Sequence, residues 1–322
     1  MENIYSQSDL LRVNKAILNS TQQISSWLRG HTPKKMETTN QYGDAQTDAV
    51  EKASEIIVNQ LKQTDVIRGY FSKDSPQFVE NNPQGEFIVT FDPIDGGTVI
   101  EANYAVASIF GIWRKDQVNG CTGRDLAGAA LAIYGSRTTL LLYNSHAKVV
   151  EELTLIKRNK AAPKWIVTIP KFSFTPKARN FSPEGVKSCY EDPGYLKVFQ
   201  HYVIQGYSIR YSSSMAVDCY QMFMKNSGIY LSLETVAFGA KLRLIYELIP
   251  IAFLIEKAKG VATDGHHNIL DIVIEGYEQK SAFIAGSKEE VQFVMETLKC
   301  NGTNIASLDQ MAEELLKDKE LV

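Results

Sequence analysis

The sequence predicts an α/β protein built from two lobes. The chain has 322 residues, of which 44% are apolar and 22% charged, and this is enough to form two packed cores rather than one. Strand-like runs alternate with helix-like stretches, and a stretch rich in Lys, Ala and Pro, residues 157–164, separates the two halves. We therefore expect an N-terminal α/β lobe over residues 1–164, a C-terminal α/β lobe over residues 165–300 and a helical tail over residues 301–322.

The first lobe is predicted to begin with two amphipathic helices. Apolar residues follow helical spacing from residue 10 to residue 28, and a second helical stretch starts at Gly43-Asp44, where Asp44 is the expected N-cap. Its apolar face is formed by Ala49, Ala53, Ile56, Ile57 and Leu61. Strands are predicted over residues 86–91, 105–113, 138–143 and 149–156, and a helix of small residues over residues 126–134.

The second lobe is predicted from a similar alternation. Its strands are expected over residues 165–169, 207–211 and 229–233, and its helices over residues 196–203 and 214–226. A long apolar helix is expected over residues 242–259, ended by Gly260 in the C′ position, and a short amphipathic helix over residues 308–316.

Composition and charge argue against several classes of protein. The net charge of −3 and the pI near 6.0 give no electrostatic case for nucleic acid, and no run approaches the roughly 18 apolar residues of a membrane span. The four cysteines form no CxxC pair, so neither a zinc site nor a disulfide framework is indicated. The N-terminus lacks a signal pattern, so we expect a cytoplasmic protein.

The run Phe91-Asp92-Pro93-Ile94-Asp95-Gly96-Gly97-Thr98 is the most informative segment. Two carboxylates follow a strand-like run, the Ile94 carbonyl can add a third oxygen, and such oxygen sets suit Mg²⁺. The two glycines and Thr98 allow backbone N–H groups to approach an anion. The alternative is that Asp-Pro and Asp-Gly are ordinary turn dipeptides.

A second charged set lies at the start of the predicted apolar helix. Arg243 and Glu247 are four residues apart, so they could form an intrahelical ion pair. Alternatively, Glu247 completes the metal site while Lys241 and Arg243 hold substrate phosphate.

Several of these segments together resemble the fructose-1,6-bisphosphatase family, and within it the sedoheptulose-1,7-bisphosphatase branch more than the ordinary fructose bisphosphatases. The resemblance covers about three quarters of the chain. The matching segments are Gly43-Asp44, residues 91–96, residues 108–113, residues 133–139, residues 210–215 and residues 240–244.

The resemblance implies a layered α-β-α-β-α sandwich, oligomerisation as a homodimer or homotetramer, and Mg²⁺-dependent removal of the 1-phosphate from a ketose bisphosphate, with Mn²⁺ as a further usable cation. It implies that the metal ligands are Asp44, Asp92, Asp95, Glu247 and the Ile94 carbonyl. It implies that Gly96, Gly97 and Thr98 bind the reacting phosphate and that Arg243 lies beside it. It implies that the remaining substrate contacts are Lys187, Arg210, Tyr211, Met215 and Lys241.

Two positions depart from the family pattern close to the metal and the attacking water. Lys73 stands where a glutamate normally bridges metals, and Val50 stands where a carboxylate normally pairs with the acid at position 74 to manage the water's proton. Asp74 still supplies the acid at position 74, and Asp48 could partly replace the carboxylate that is missing at position 50. Three hypotheses remain: a working bisphosphatase in which the Lys73 ammonium replaces one cation's charge, a degenerate member that binds sugar phosphates as a regulator or partner subunit, or an enzyme redirected to another phosphorylated substrate.

Overall fold

The chain folds into five layers in the order helix, sheet, helix, sheet, helix. The computed structural model describes residues 2–39, 45–157, 161–235 and 239–299. The layered sandwich that the family resemblance implies is confirmed. None of the helices in these ranges combines the length and the apolar character that crossing a bilayer requires.

The helices are α1 (Glu2–Gly30), α2 (Asp48–Lys62), α3 (Pro193–Ile204), α4 (Met215–Lys225), α5 (Ile249–Lys257) and α6 (Lys288–Lys299). The strands are β1 (Lys35–Thr39), β2 (Ala45–Thr47), β3 (Ile67–Ser72), β4 (Ser75–Glu80), β5 (Phe87–Asp95), β6 (Val106–Trp113), β7 (Leu126–Tyr134), β8 (Thr138–Asn144), β9 (Val149–Ile156), β10 (Lys164–Ile169), β11 (Asn180–Glu184), β12 (Ser208–Ile209), β13 (Ile229–Ser232), β14 (Leu242–Arg243), β15 (Val261–Thr263), β16 (Lys280–Ser281) and β17 (Phe283–Gly286).

The larger sheet has eight strands in the order β10-β9-β8-β7-β6-β5-β3-β4. Its neighbours run antiparallel except β3 and β5, which are parallel. The apolar faces of α1 and α2 cover one side, and α4 and α5 cover the other. Because both sides are covered, β5 and β6 are buried along their whole length.

The smaller sheet has five strands in the order β12-β11-β13-β17-β15. Its inner side packs on α4 and α5, and its outer side packs on α3 and α6. The middle helices α4 and α5 therefore lie in one core that both sheets share. Strand β10 pairs with β9 and so extends the larger sheet to Ile169, and the division of the chain at residue 164 stays a prediction.

Most of the predicted elements are confirmed, including α1 and the buried face of α2 formed by Ala49, Ala53, Ile56, Ile57 and Leu61. The start of α2 was predicted wrongly: the helix begins at Asp48, with Thr47 as its N-cap. Asp44 lies outside the described residues, as do Gly43 and the predicted tail over residues 301–322.

The helix predicted over residues 126–134 is wrong, because this stretch forms the central strand β7. Its alanines face α-helical layers on both sides of the sheet, and Ala129, Ala130 and Ala132 are completely buried. A strand buried on both faces shows no alternation of apolar and polar residues. Small side chains also leave room for the helices to approach, so packing overrides the helix propensity of alanine.

The long helix predicted over residues 242–259 is also wrong at both ends. Leu242 and Arg243 form β14, a π-helical turn follows over Leu244–Leu248, and α5 begins only at Ile249, with Pro250 in its first turn. A proline is tolerated there because the first turn lacks internal N–H partners. At the other end Lys259, and not Gly260, adopts the left-handed conformation, with φ of 69°.

Candidate active site

A bulge in β5 brings Asp92 and Asp95 to the same side of the sheet. Residues three apart on a regular strand point to opposite faces. Here Asp92 pairs with Ile109 and Asp95 with Ala107, so that β5 has one residue more than β6 between these pairs. Pro93 suits this position because it has no N–H to offer to the ladder.

The bulge is held by a buried serine. The Ser108 hydroxyl donates a hydrogen bond of 2.6 Å to the Pro93 carbonyl and lies 2.9 Å from the Tyr134 hydroxyl. Both side chains are buried. The Pro93 carbonyl, which is turned out of the strand pairing, therefore has a hydrogen-bond partner inside the core.

Glu247 reaches the same place from the π-helical turn. Its carboxylate and those of Asp92 and Asp95 offer oxygens that all lie within 4.8 Å of one another. The backbone N–H of Arg243 donates to Oε2 of Glu247 at 2.7 Å. Arg243 lies in β14 and not in a helix, so the pair suggested by the sequence is not intrahelical, and this contact between the two residues runs through the backbone of Arg243.

Lys73 lies within this cluster. Its ammonium is 2.7 Å from Oδ2 of Asp92 and 3.0 Å from Oε1 of Glu247. The Lys73 side chain is 16% exposed, and those of its two partners 2% and 3%. The residue that departs from the family pattern therefore contacts the acids that were predicted to bind metal.

The charges of the cluster perturb one another. Burial raises the pKa of Asp92, Lys73 opposes this, and the neighbouring carboxylates add to it, so that the pKa reaches about 7. Burial likewise raises the pKa of Asp95 against the effect of Lys73. Burial alone would lower the pKa of Lys73, but the charges of Asp92, Glu247 and Asp95 outweigh it and hold that pKa well above its usual range.

Asp95 is also tied to the start of α4. Its Oδ2 accepts hydrogen bonds from the Ser214 hydroxyl at 2.7 Å and from the Ala216 N–H at 2.8 Å, a favourable arrangement for a carboxylate at a helix N-terminus. Asp218, one turn into α4, accepts from the Ser212 N–H through both oxygens at 3.1 Å. The loop that precedes α4 is thereby fixed against Asp95 of β5.

Gly96 follows directly and adopts the left-handed conformation, with φ of 89°. A Cβ at this position would lie 2.9 Å from Cβ of Ser214. Gly97 and Thr98 then open a 3₁₀ turn, and Thr98 is exposed. Val50 lies beside this segment, since a Cβ on Gly97 would meet its Cγ2 at 3.5 Å, so the position without the expected carboxylate does border the site.

The predicted substrate lysines come together at a separate small pocket. Lys187 and Lys241 line it with Ser188 and Ser232. Ser232 is the serine at the end of β13. The two ammonium groups and two hydroxyls offer donors to an anion, although the Glu184 carboxylate also lines the pocket.

The other predicted site residues have different settings. Arg210 and Tyr211 are exposed beyond β12, whereas Met215 is 3% exposed and packs in the core. Asp74 forms the turn between β3 and β4 next to Lys73, and Arg243 is buried.

The suggestion that Asp48 could partly replace the missing acid at position 50 stays a prediction. The carboxylate of Asp48 accepts from the Lys34 N–H at 2.8 Å and lies 2.9 Å from Nε2 of His31. It fastens the segment after α1 to the start of α2.

The donor set fits a divalent cation. Asp92, Asp95 and Glu247 are hard oxygen donors on rigid elements, and Mg²⁺ in proteins is held by a few carboxylates together with substrate phosphate. Ser214 and Ala216 both donate to Oδ2 of Asp95, so Oδ1 is the oxygen that a cation could take. The ammonium of Lys73 contacts carboxylate oxygens of the same set, on Asp92 and Glu247.

The sequence analysis did not single out Ser108 and Ser214 as supports of the site. A signal was present for Ser108, because it is a polar residue inside the apolar run of residues 105–113, and a buried hydroxyl needs a partner. Ser214 was recognised only as the start of a helix. Its bond to Asp95 depends on the packing of α4 against β5.

Two sequence models of one family match the chain. They are described as "Fructose-1-6-bisphosphatase, N-terminal domain", over residues 12–162, and "Fructose-1-6-bisphosphatase, C-terminal domain", over residues 174–299. The protein belongs to the fructose-1,6-bisphosphatase family.

Relatives of both branches are similar to the chain. A chloroplastic sedoheptulose-1,7-bisphosphatase from Triticum aestivum is 33% identical over 80% of this chain, and the match spans 65% of the wheat protein. A fructose-1,6-bisphosphatase class 1 from Syntrophotalea carbinolica is 33% identical over 81% of this chain and 80% of its own length.

Solved structures show the same architecture. The crystal structure of a candidate sedoheptulose-1,7-bisphosphatase from Toxoplasma gondii has a TM-score of 0.84 and 29% identity, covering 90% of this chain and 94% of that one. A Leishmania major fructose-1,6-bisphosphatase in holo form has a TM-score of 0.81 and 26% identity, with the same coverage of both chains.

Proposed function

We propose that the protein is a Mg²⁺-dependent phosphatase that removes the 1-phosphate of a ketose bisphosphate, either sedoheptulose 1,7-bisphosphate or fructose 1,6-bisphosphate. The observation that carries the proposal is the convergence of the Asp92, Asp95 and Glu247 carboxylates within 4.8 Å. Family membership supports it, because relatives in both branches are named as bisphosphatases of these sugars.

Different residues would bind the cation, the reacting phosphate and the rest of the substrate. Asp92, Asp95, Glu247 and the Ile94 carbonyl would hold the cation, and we propose Asp44 as a further ligand. Mn²⁺ could replace Mg²⁺, because it accepts the same oxygen ligands. A bound divalent cation would offset the charge of the phosphoryl group and help to generate the attacking hydroxide.

The reacting phosphate would lie on Gly96, Gly97 and Thr98. The left-handed turn at Gly96 exposes backbone N–H groups, and the absence of side chains allows the phosphate to come close. Asp74 and Arg243 would act beside it, as acid partner of the water and as a positive charge near the phosphate.

The distal end of the sugar would reach the pocket of Lys187 and Lys241. Arg210 and Tyr211 would reach it from the exposed end of β12, and Met215 from the start of α4. Because the Met215 side chain is buried in the core, we expect its contact to come from the backbone.

We further propose that the protein forms a homodimer or homotetramer. The exposed apolar side chains of Ile209, in the edge strand β12, and of Tyr211, just after it, would be covered by such an assembly. A cytoplasmic location and lobes that divide at residue 164 complete the proposal.

Phosphate release from the two ketose bisphosphates, with Mg²⁺, Mn²⁺ or EDTA, tests the proposal. Glu247→Ala should lower kcat/KM by about 100-fold or more, because a ligand of the cation is lost. Lys241→Met should raise KM by about 10-fold with less effect on kcat, because a charge-assisted hydrogen bond is removed. Lys164→Met, at the far edge of the larger sheet, is the matched control. Release by the wild type no faster than by Glu247→Ala would refute the proposal.

A second candidate is a protein that binds sugar phosphates and hydrolyses them poorly. It is favoured by the contacts of Lys73 with Asp92 and Glu247 and by the apolar Val50 beside Gly97. Titration calorimetry with fructose 1,6-bisphosphate distinguishes the two: heat of binding without phosphate release supports this second candidate. Release from another phosphorylated compound alone would indicate a redirected enzyme.

A further inference from the structure

The backbone of Lys73 is fixed next to the acids of β5. Lys73 follows β3 directly, and its N–H donates to the Phe91 carbonyl at 3.0 Å. This bond continues the parallel pairing of β3 with β5 by one residue. Because Ser72 pairs with Phe91, the next residue, Lys73, comes level with Asp92, and its side chain, only 16% exposed, enters the cluster from a rigid strand end.

The ammonium group balances part of the cluster's charge. With all three carboxylates ionised, they and the ammonium bound to two of them carry a net charge of −2, which one divalent cation offsets. Asp74 adds a further negative field at Asp92. A second divalent cation on the same acids would have to lie next to a fixed positive charge, where repulsion at short range in a buried site is strong.

We propose that Lys73 serves as a built-in cation of this site, so that Asp92, Asp95 and Glu247 take up a single divalent cation per chain. The inference rests on the proposed function for the nature of the site, but the property it concerns, the number of cations bound, can be measured without substrate. Lys73 would also hold the three acids together before the cation arrives.

The stoichiometry of Mn²⁺ binding tests this inference. Equilibrium dialysis, with free Mn²⁺ measured by electron paramagnetic resonance, should give one tight ion per chain for the wild type. Lys73→Glu converts the ammonium into a fourth carboxylate and should bind at least two. Lys164→Glu makes the same change of charge at an exposed position of β10 and should still bind one.

A second variant keeps the inference testable if Lys73→Glu does not fold. Lys73→Met removes the charge but keeps the length of the side chain. Without divalent cations its Tm should fall by at least about 5 °C, because three buried carboxylates lose their counter-charge. Saturating Mg²⁺ should then raise the Tm of Lys73→Met more than that of the wild type.

Several results would overturn the inference: two or more tight Mn²⁺ ions on the wild type, none at all, an unchanged number on Lys73→Glu, or an equal Tm for cation-free Lys73→Met and wild type. Absence of phosphate release is a different failure. If the wild type binds one ion and Lys73→Glu binds two, but neither releases phosphate, the proposed function falls and the role of Lys73 stands.

Discussion

Replacing Ser108 with alanine should lower the stability of the protein and also disturb the positions of Asp92 and Asp95. The Ser108 hydroxyl holds the Pro93 carbonyl at 2.6 Å and contacts the Tyr134 hydroxyl at 2.9 Å. Pro93 lies in the bulge that turns Asp92 and Asp95 to one side. The substitution removes the support of the bulge without touching either acid.

The magnitude follows from the Pro93 carbonyl, which loses its partner, whereas the Tyr134 hydroxyl keeps its hydrogen bond with Thr21. A buried polar group left without a hydrogen bond costs about 1–3 kcal/mol, which is the loss expected in the free energy of unfolding. Relaxation of the bulge should also separate Asp92 from Asp95. We expect the affinity for Mg²⁺ or Mn²⁺ to fall by about 10-fold, the scale typical of groups that orient metal ligands.

Urea denaturation without divalent cations measures the first effect, and calorimetric titration with Mn²⁺ measures the second. Tyr134→Phe keeps the bond from Ser108 to Pro93 and should lose stability with little change in affinity. Ser20→Ala removes another fully buried serine hydroxyl, one that bonds only the Ala16 carbonyl within α1, and should leave the affinity unchanged. Wild-type affinity in Ser108→Ala, despite a lowered stability, would show that the bulge does not depend on this hydroxyl.

Two further predictions concern neighbouring residues. Gly96→Ala should destabilise the protein by more than Gly206→Ala in urea denaturation, because both glycines have positive φ but only a Cβ at Gly96 meets Ser214; equal losses would contradict the close packing. Burial raises the pKa of Asp218 to about 6, so the folded state binds this proton more tightly than the unfolded state does. The free energy of unfolding of the wild type should therefore fall relative to Asp218→Asn by up to roughly 3 kcal/mol between about pH 4 and pH 7, and a pH-independent difference would refute this.

The elements that the sequence predicts correctly either have one exposed face, as α2 does, or are rich in β-branched and aromatic residues, as the buried strands β5 and β6 are. The apolar positions of α2 identify its buried side because the other side meets water. By contrast, β7 and the segment around Leu242–Leu248 are covered on all sides. Without a polar face, the sequence shows neither the 3.6-residue period of a helix nor the two-residue period of a strand. Alanine-rich or leucine-rich stretches then look helical.

Within the site, the sequence locates groups one by one and cannot measure the distances between them. The Asp-Pro-x-Asp-Gly-Gly run points to Asp92 and Asp95, and the family resemblance adds Glu247. The bulge that aligns the two aspartates depends on the register with β6. Similarly, the sequence does not show that the carboxylate of Asp48 lies beside Nε2 of His31.

The sequence by itself determined the family, the layered architecture and the acids from which a metal site can be built, because these depend on local motifs and on patterns of burial. The tertiary structure alone decided that the ammonium of Lys73 lies between Asp92 and Glu247, residues that are far apart along the chain. That contact arises because the end of β3, the bulge of β5 and the turn before α5 meet at one point. Electrostatic attraction acts through such short distances, and only the folded chain sets them.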